Sequence, residues 1–221
     1  MKCTAYLLVV AAVALTASVA SSDAPPKPSV VPISWQLEFD YQSIDSITVV
    51  PPGAKQARTY WYVLFTVTNT TKADQMYVPR FDLCTETGQI IRAGEQVPSG
   101  VFKAIVKRHN NPLLTGLSEI SGRLLQGEDN ARDGVAIWKN FDPKARKFEV
   151  FVGGLSGERA TIQLPAPVTV VEKGDDGKAR KVTKSEMVLA KTLQLSYSIP
   201  GEEAARTKLV PKLLKKKWIM R

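Results

Sequence analysis

Residues 60–71, YWYVLFTVTNTT, decide the fold. The first eight hold seven aromatic or aliphatic side chains, and Asn69 with the threonines around it then favours a turn. At the two-residue period of a strand, Tyr60, Tyr62 and Leu64 fall on one side and Trp61, Val63, Phe65 and Val67 on the other. Both sides are apolar. Such a strand is expected in the middle of a sheet covered on both faces, with β-branched and aromatic side chains filling a pleated surface.

Outward from this segment the pattern repeats with one polar side. In ISWQLEFDY (33–41), Ile33, Trp35, Leu37, Phe39 and Tyr41 alternate with polar residues. In KTLQLSYSI (191–199), Leu193, Leu195, Tyr197 and Ile199 alternate with Thr192, Gln194, Ser196 and Ser198. Both are strands with one wet face. Shorter strand candidates are MYVPRFDLCT (76–85), QIIRA (89–93), GVAIWKNF (134–141), KFEVFVGG (147–154), ATIQLP (160–165), PVTVVE (167–172) and KVT (181–183). Turn chemistry separates them at Gly88, Pro143, Gly157 and Gly177. One stretch departs from this period. In PSGVFKAIVKRHNN (98–111), Val101, Phe102, Ile105 and Val106 share a helical face opposite Lys103 and Lys107, with Ser99 as N-cap and Asn110 and Asn111 before Pro112 as the stop. Many short strands and one short helix predict a mainly antiparallel, all-β sandwich.

The ends of the chain carry different signals. In MKCTAYLLVVAAVALTASVASS a single Lys2 precedes an apolar run from Ala5 to Ala14, and Ser18 and Ala20 are small. The run is shorter than the ~20 residues that span a bilayer. It is therefore expected to be a signal peptide over residues 1–20, cleaved after Ala20, which exports the protein to the periplasm or beyond the cell. The whole chain has a net charge of +9, and removal of Lys2 leaves +8. Seven of the remaining basic residues, Arg206, Lys208, Lys212, Lys215, Lys216, Lys217 and Arg221, lie in the last sixteen positions with no acid among them. Basicity thus belongs to the C-terminal tail. Cys84 is the sole cysteine beyond the leader, so no intrachain disulfide is available, and a monomer held by packing alone is expected. Residues 21–32, SSDAPPKPSVVP, hold four prolines and no apolar period. They are expected to form a disordered or polyproline spacer. One domain, residues 33–201, then lies between this spacer and a basic tail at 202–221.

YVLFTVTNTTKADQMYVPRFDLCTETGQII (62–91) resembles the immunoglobulin-like domains of exported bacterial proteins, where a V-x-V-x-N strand is followed by an F-x-L strand and a glycine turn. Val63, Phe65, Val67, Asn69, Phe81, Leu83 and Gly88 carry the resemblance, and ARDGVAIWKNFD (131–142) is similar to a later strand of such domains. The likeness covers about half of the chain. It implies a β-sandwich at the bacterial envelope and brings no catalytic set. The run from Val101 to Gln126 departs from the simplest version of the pattern.

Catalytic chemistry finds little support. His109 is the only histidine, and it sits between Arg108 and Asn110 in an expected surface loop, where cationic neighbours would lower its basicity. A metal site lacks paired cysteines or multiple histidines. Asp175 and Asp176 in GDDGK lack the alternating oxygens of a calcium loop. VFVGGLSGE (150–158) lacks the phosphate-cradle pattern, and Asn69-Thr70-Thr71 marks only an exposed turn. Glu128, Asp129 and Asp133 lie among Arg123 and Arg132, so a carboxylate hydrolase is the enzymatic alternative to a charge-paired surface. No cofactor is expected.

The tail RTKLVPKLLKKKWIMR (206–221) interleaves its cations with Leu209, Val210, Leu213, Leu214, Trp218, Ile219 and Met220. Pro211 argues against one uninterrupted amphipathic helix. Docking of the apolar residues on the sandwich with the lysines left wet is the expected outcome. The alternative is contact of Lys212, Lys215, Lys216, Lys217, Trp218 and Arg221 with an anionic membrane surface, an envelope polymer or an envelope protein. Nucleic acid is excluded as a partner, because an exported chain with a single basic concentration offers no footprint for it. A non-enzymatic protein with a structural or interaction role at the bacterial envelope is expected.

Overall fold

The computed structural model describes residues 25–51, 53–173, 177–200 and 209–221. The expected leader over residues 1–20 lies outside them, as do Asp175 and Asp176.

The protein is mostly β. A five-stranded sheet is built on β3 (Arg58–Asn69). β1 (Glu38–Tyr41) and β2 (Asp45–Val49) run in succession along one edge of β3, in the registers Phe39↔Val67 and Ile47↔Tyr60. β4 (Gln75–Tyr77), β5 (Arg80–Thr85) and β6 (Ile90–Arg92) follow, and then helix α1 (Ser99–His109). β7 (Thr115–Gly116), the short helix α2 (Leu117–Ile120) and β8 (Gly122–Leu124) lead into β9 (Gly127–Lys139), which covers the second edge of β3 with Trp61 opposite Trp138. β7 pairs with β9 in parallel, the one exception to the antiparallel pattern among the described strands. β10 (Lys147–Gly153), β11 (Arg159–Lys173), β12 (Ala179–Ser198) and β13 (Lys212–Met220) complete the chain. The larger sheet runs β11-β12-β10-β5-β6, with β13 also paired to β12, and β4 and β8 form a separate pair.

The two apolar faces of β3 have different covers. Trp61, Val63, Phe65 and Val67 face the larger sheet and share one core with Phe81, Leu83, Trp138, Phe148, Val150, Leu193, Leu195 and Tyr197. Tyr60, Tyr62 and Leu64 face the other way, into a second core with Val101, Ile105, Leu114, Val135 and Ile137. Helix α1 therefore forms a third layer over the outer face of the smaller sheet. Gly134 of β9 sits where the inner layer is tightest, since a Cβ there would lie 2.3 Å from the Phe65 ring.

Several expectations change in detail. Pro98 occupies the N-cap of α1, because its φ of −64° and extended ψ end the incoming chain, and Ser99 is the first helical residue with no capping hydrogen bond at that end. Asn110 closes the helix in the left-handed region at φ 49°. His109 is the last residue of α1 and is not in a loop. The segments at 160–165 and 167–172 form a single strand, β11, with a register shift between Gln163 and Val168. Pro165 and Pro167 fall in that irregularity, where a missing N–H breaks no ladder bond. KVT likewise joins KTLQLSYSI in the twenty-residue β12. The first half of β12 and most of β11 are exposed and pair as a ribbon that extends past the packed core.

The domain also reaches beyond residues 33–201 on both sides. Ser29, within the expected disordered spacer, donates its N–H to Glu158 Oε1 at 2.7 Å and accepts from Lys191 Nζ at 3.0 Å. This buried ion pair needs further partners for its remaining donors and lone pairs, and the Ser29 backbone supplies two of them. At the other end, much of the expected basic tail is strand β13.

Candidate functional site

β13 gains its ladder bonds from β12, in a register that runs from Lys191↔Met220 to Ser198↔Lys212 with a shift between Ser196 and Tyr197. Residues that face each other across a ladder share a face of the sheet. Trp218, opposite Leu193, is half-buried against the main core. Lys191 Nζ lies 5.5 Å from the Trp218 ring centroid and 3.0 Å from Glu158 Oε2. Lys191 and Glu158 are only 2% and 5% exposed. The Ser29 N–H, followed by the Lys191 ammonium, holds the Glu158 carboxyl below its ordinary pKa. Lys216, opposite Leu195, reaches Tyr41 on the other sheet, with its ammonium 5.2 Å from that ring centroid.

Lys212, Lys215 and Lys217 face Ser198, Ser196 and Gln194 on the outer side of the sheet. All three are exposed, and none has an ion-pair partner among the described residues. Continuing across the sheet, Ser198 stands opposite Lys147 and Ser196 opposite Glu149. Glu149 accepts hydrogen bonds from Gln194 Nε2 and Ser196 Oγ, so its carboxylate is held on β10 and β12, two strands from Lys215. Arg221 lies past the end of β13, where its guanidinium is 4.1 Å from the Phe151 ring centroid and 3.1 Å from Asp82 Oδ2. The six residues expected as one contact set are thus divided. Lys212, Lys215 and Lys217 form an outward row, while Lys216, Trp218 and Arg221 tie the strand to the domain.

The carboxylates expected around Arg123 and Arg132 do not converge. Glu128 and Asp129 are exposed on β9, while Asp133 accepts from Thr66 Oγ1 at 2.8 Å and Asn111 Nδ2 at 3.0 Å. Arg123 pairs with Asp74 at 2.6 Å, and Arg132 donates to the carbonyls of Ile120 and Arg123. Asp133 does line a shallow cleft of about 240 Å³ with Asp40, Thr66 and Asn111. Its two lone-pair partners there place it as a tie between β3, β9 and the loop after α1. His109 Nε2 lies 2.9 Å from the Tyr62 hydroxyl, which donates to Asp45 Oδ2 at 3.1 Å. Burial, then the Asp45 charge, pushes the Tyr62 pKa up to about 12. With the Arg108–Asp45 ion pair at 2.9 Å, this network fastens the end of α1 to β2 and β3. Burial also raises the Cys84 thiol pKa, which keeps it neutral.

Among the described residues, no group of three or more histidine, cysteine, aspartate or glutamate side chains is placed to hold a metal ion. No helix among them is long and apolar enough to cross a membrane. No family model and no curated protein matches the chain. Its fold is similar to that of MPT63, a secreted protein from Mycobacterium tuberculosis, at 21% identity and a TM-score of 0.33 over 58% of this chain and 95% of that one.

The sequence showed the lysines of β13 but not which of them face outward, because LLKKKWIM does not alternate strictly. Only the register against β12 separates Lys216 from its two neighbours. A second group, Arg80, Asp82 and Arg159 beside Arg221, was missed altogether. Its single trace in the sequence is the period-two pair Arg80 and Asp82.

Proposed function

We propose that this is an exported, non-enzymatic β-sandwich protein with a structural or interaction role at the bacterial cell envelope, and that it meets an anionic surface there through the outer face of β13. The observation that carries this reading is the row of Lys212, Lys215 and Lys217 on a strand already fixed by its ladder and by Trp218. Cations on an ordered strand bind without the backbone ordering that a flexible tail would require. Each contributes about 1 kcal/mol near an anionic bilayer surface, so three give a reversible attachment. The immunoglobulin-like kinship suggested by residues 62–91 agrees with an accessory role. A carboxylate hydrolase is disfavoured, because Glu128 and Asp129 stand in solvent and Asp133 is committed to Thr66 and Asn111.

Cosedimentation with phosphatidylglycerol vesicles and retention on immobilised polyglutamate test the reading. The full chain should bind at low salt and release at moderate salt, as screening over roughly 8–10 Å demands. The Lys212→Gln, Lys215→Gln, Lys217→Gln triple variant should bind neither. Equal binding by that variant would refute the reading.

A further inference from the structure

The outer face of the larger sheet holds a cavity of about 360 Å³ at the root of the β11–β12 ribbon. Its polar lining is Arg80, Asp82, Arg159, Thr192 and Arg221, with Phe151 as apolar floor. Asp82 is 2% exposed and must serve several cations at once. Arg80 Nε donates to its Oδ2 at 3.0 Å and Arg221 Nη1 to the same oxygen at 3.1 Å, while Arg92 Nε stands 3.6 Å from Oδ1. The side chain of Arg159, the first residue of β11, has no hydrogen bond or ion pair to any described residue. The Arg221 main-chain carbonyl oxygen accepts from the Ala190 N–H at 2.8 Å. Three lining guanidinia therefore share one lining carboxylate, that of Asp82.

One of the donors is also preorganised. Arg221 lies over the Phe151 ring and is anchored by Asp82, so little rotamer freedom is left to lose on binding. The Thr192 hydroxyl donates to the Ala190 carbonyl at 3.0 Å, which leaves the guanidinia as the side-chain donors facing the cavity. The wall is held by a close backbone approach. Gly154 has φ +87°, and a Cβ there would lie 2.4 Å from the Val78 carbonyl oxygen, so only glycine lets the chain turn toward Arg159 over the β4–β5 connection. A cavity whose guanidinium forks outnumber its carboxylates recognises a group with acceptor-only oxygens.

We propose that this cavity is a binding site for an oxyanion, the phosphate or carboxylate group of a small molecule or polymer, held between Arg159 and the Arg80–Arg221 pair. It is distinct from the lysine row of β13 and does not depend on it. Titration of the 15N-labelled full chain with inorganic phosphate and, separately, with acetate, at constant ionic strength set by chloride, tests the site through the arginine Nε–H resonances. Saturable shifts at Arg80, Arg159 and Arg221 are expected. Tighter binding of phosphate identifies a phosphate-type ligand, and tighter binding of acetate a carboxylate. Arg159→Gln, which removes no described contact, should keep the melting temperature of the full chain and weaken binding about tenfold, the loss of one charge-assisted pair. Arg159→Lys should recover part of it. The triple lysine variant of β13 should bind as the full chain does. Absence of saturation with both anions, undiminished binding by Arg159→Gln, or loss of binding in the β13 variant would overturn the proposal.

Discussion

Trp61 is fully buried between the sheets, its indole N–H donating to Asn140 Oδ1 at 2.9 Å and its ring 5.5 Å from that of Phe141. Trp61→Ala removes a large, fully buried side chain from the core and should destabilise the domain by about 3–5 kcal/mol in urea unfolding. Glu158 allows a different test. Its folded pKa is depressed, so its contribution to stability is present above the ordinary glutamate value of ~4.3 and is lost as pH falls below it, where the unfolded chain takes up the proton first. The melting temperature of the full chain should therefore drop on acidification below about pH 4, and Glu158→Gln should lack that part of the slope while melting lower at neutral pH. At this scale the period-two pattern revealed Trp61 and Phe65, because burial of alternate residues is written locally. The Lys191–Glu158 pair was not legible. Its partners are separated by a whole hairpin, and Lys191 reads simply as the polar start of a strand.

Helix α1 illustrates the next scale. Val101 and Ile105 have no exposed surface, and both pack on Tyr62, Leu64 and Val135 from outside the smaller sheet. Ile105→Ala should cost about 2–5 kcal/mol, measured by the same urea unfolding, and should loosen the Tyr62–His109 hydrogen bond that ends the helix. The helix and the doubly apolar β3 were both visible in sequence, and the structure joins the two observations, since one outer face of β3 is covered by α1. The ribbon of β11 and β12 was less visible. Short apolar runs broken by Pro165 and Pro167 look like separate strands, and only the pairing across Lys173 and Ala179 makes them one hairpin. For β13 the obstacle was the unbroken Lys215–Lys217 run, which hides the inward turn of Lys216 toward Tyr41.

At the scale of the whole molecule, segments far apart in the chain meet in the sandwich. Ser29, Glu158 just before β11, Lys191 on β12 and Trp218 on β13 meet around one buried ion pair. The cations of β13 are therefore displayed by the domain on a paired strand, on which the proposed envelope contact depends. Thermal unfolding of three chains tests that claim most directly: the full chain, one lacking residues 211–221, and the Lys212→Gln, Lys215→Gln, Lys217→Gln variant. Loss of β13 uncovers the Trp218 contact, the β12 ladder and the Asp82–Arg221 pair, and should lower Tm by at least ~5 °C. The lysine variant changes only exposed, unpaired charges and should melt within about 1 °C of the full chain. A truncated chain that melts with the full one would contradict the account.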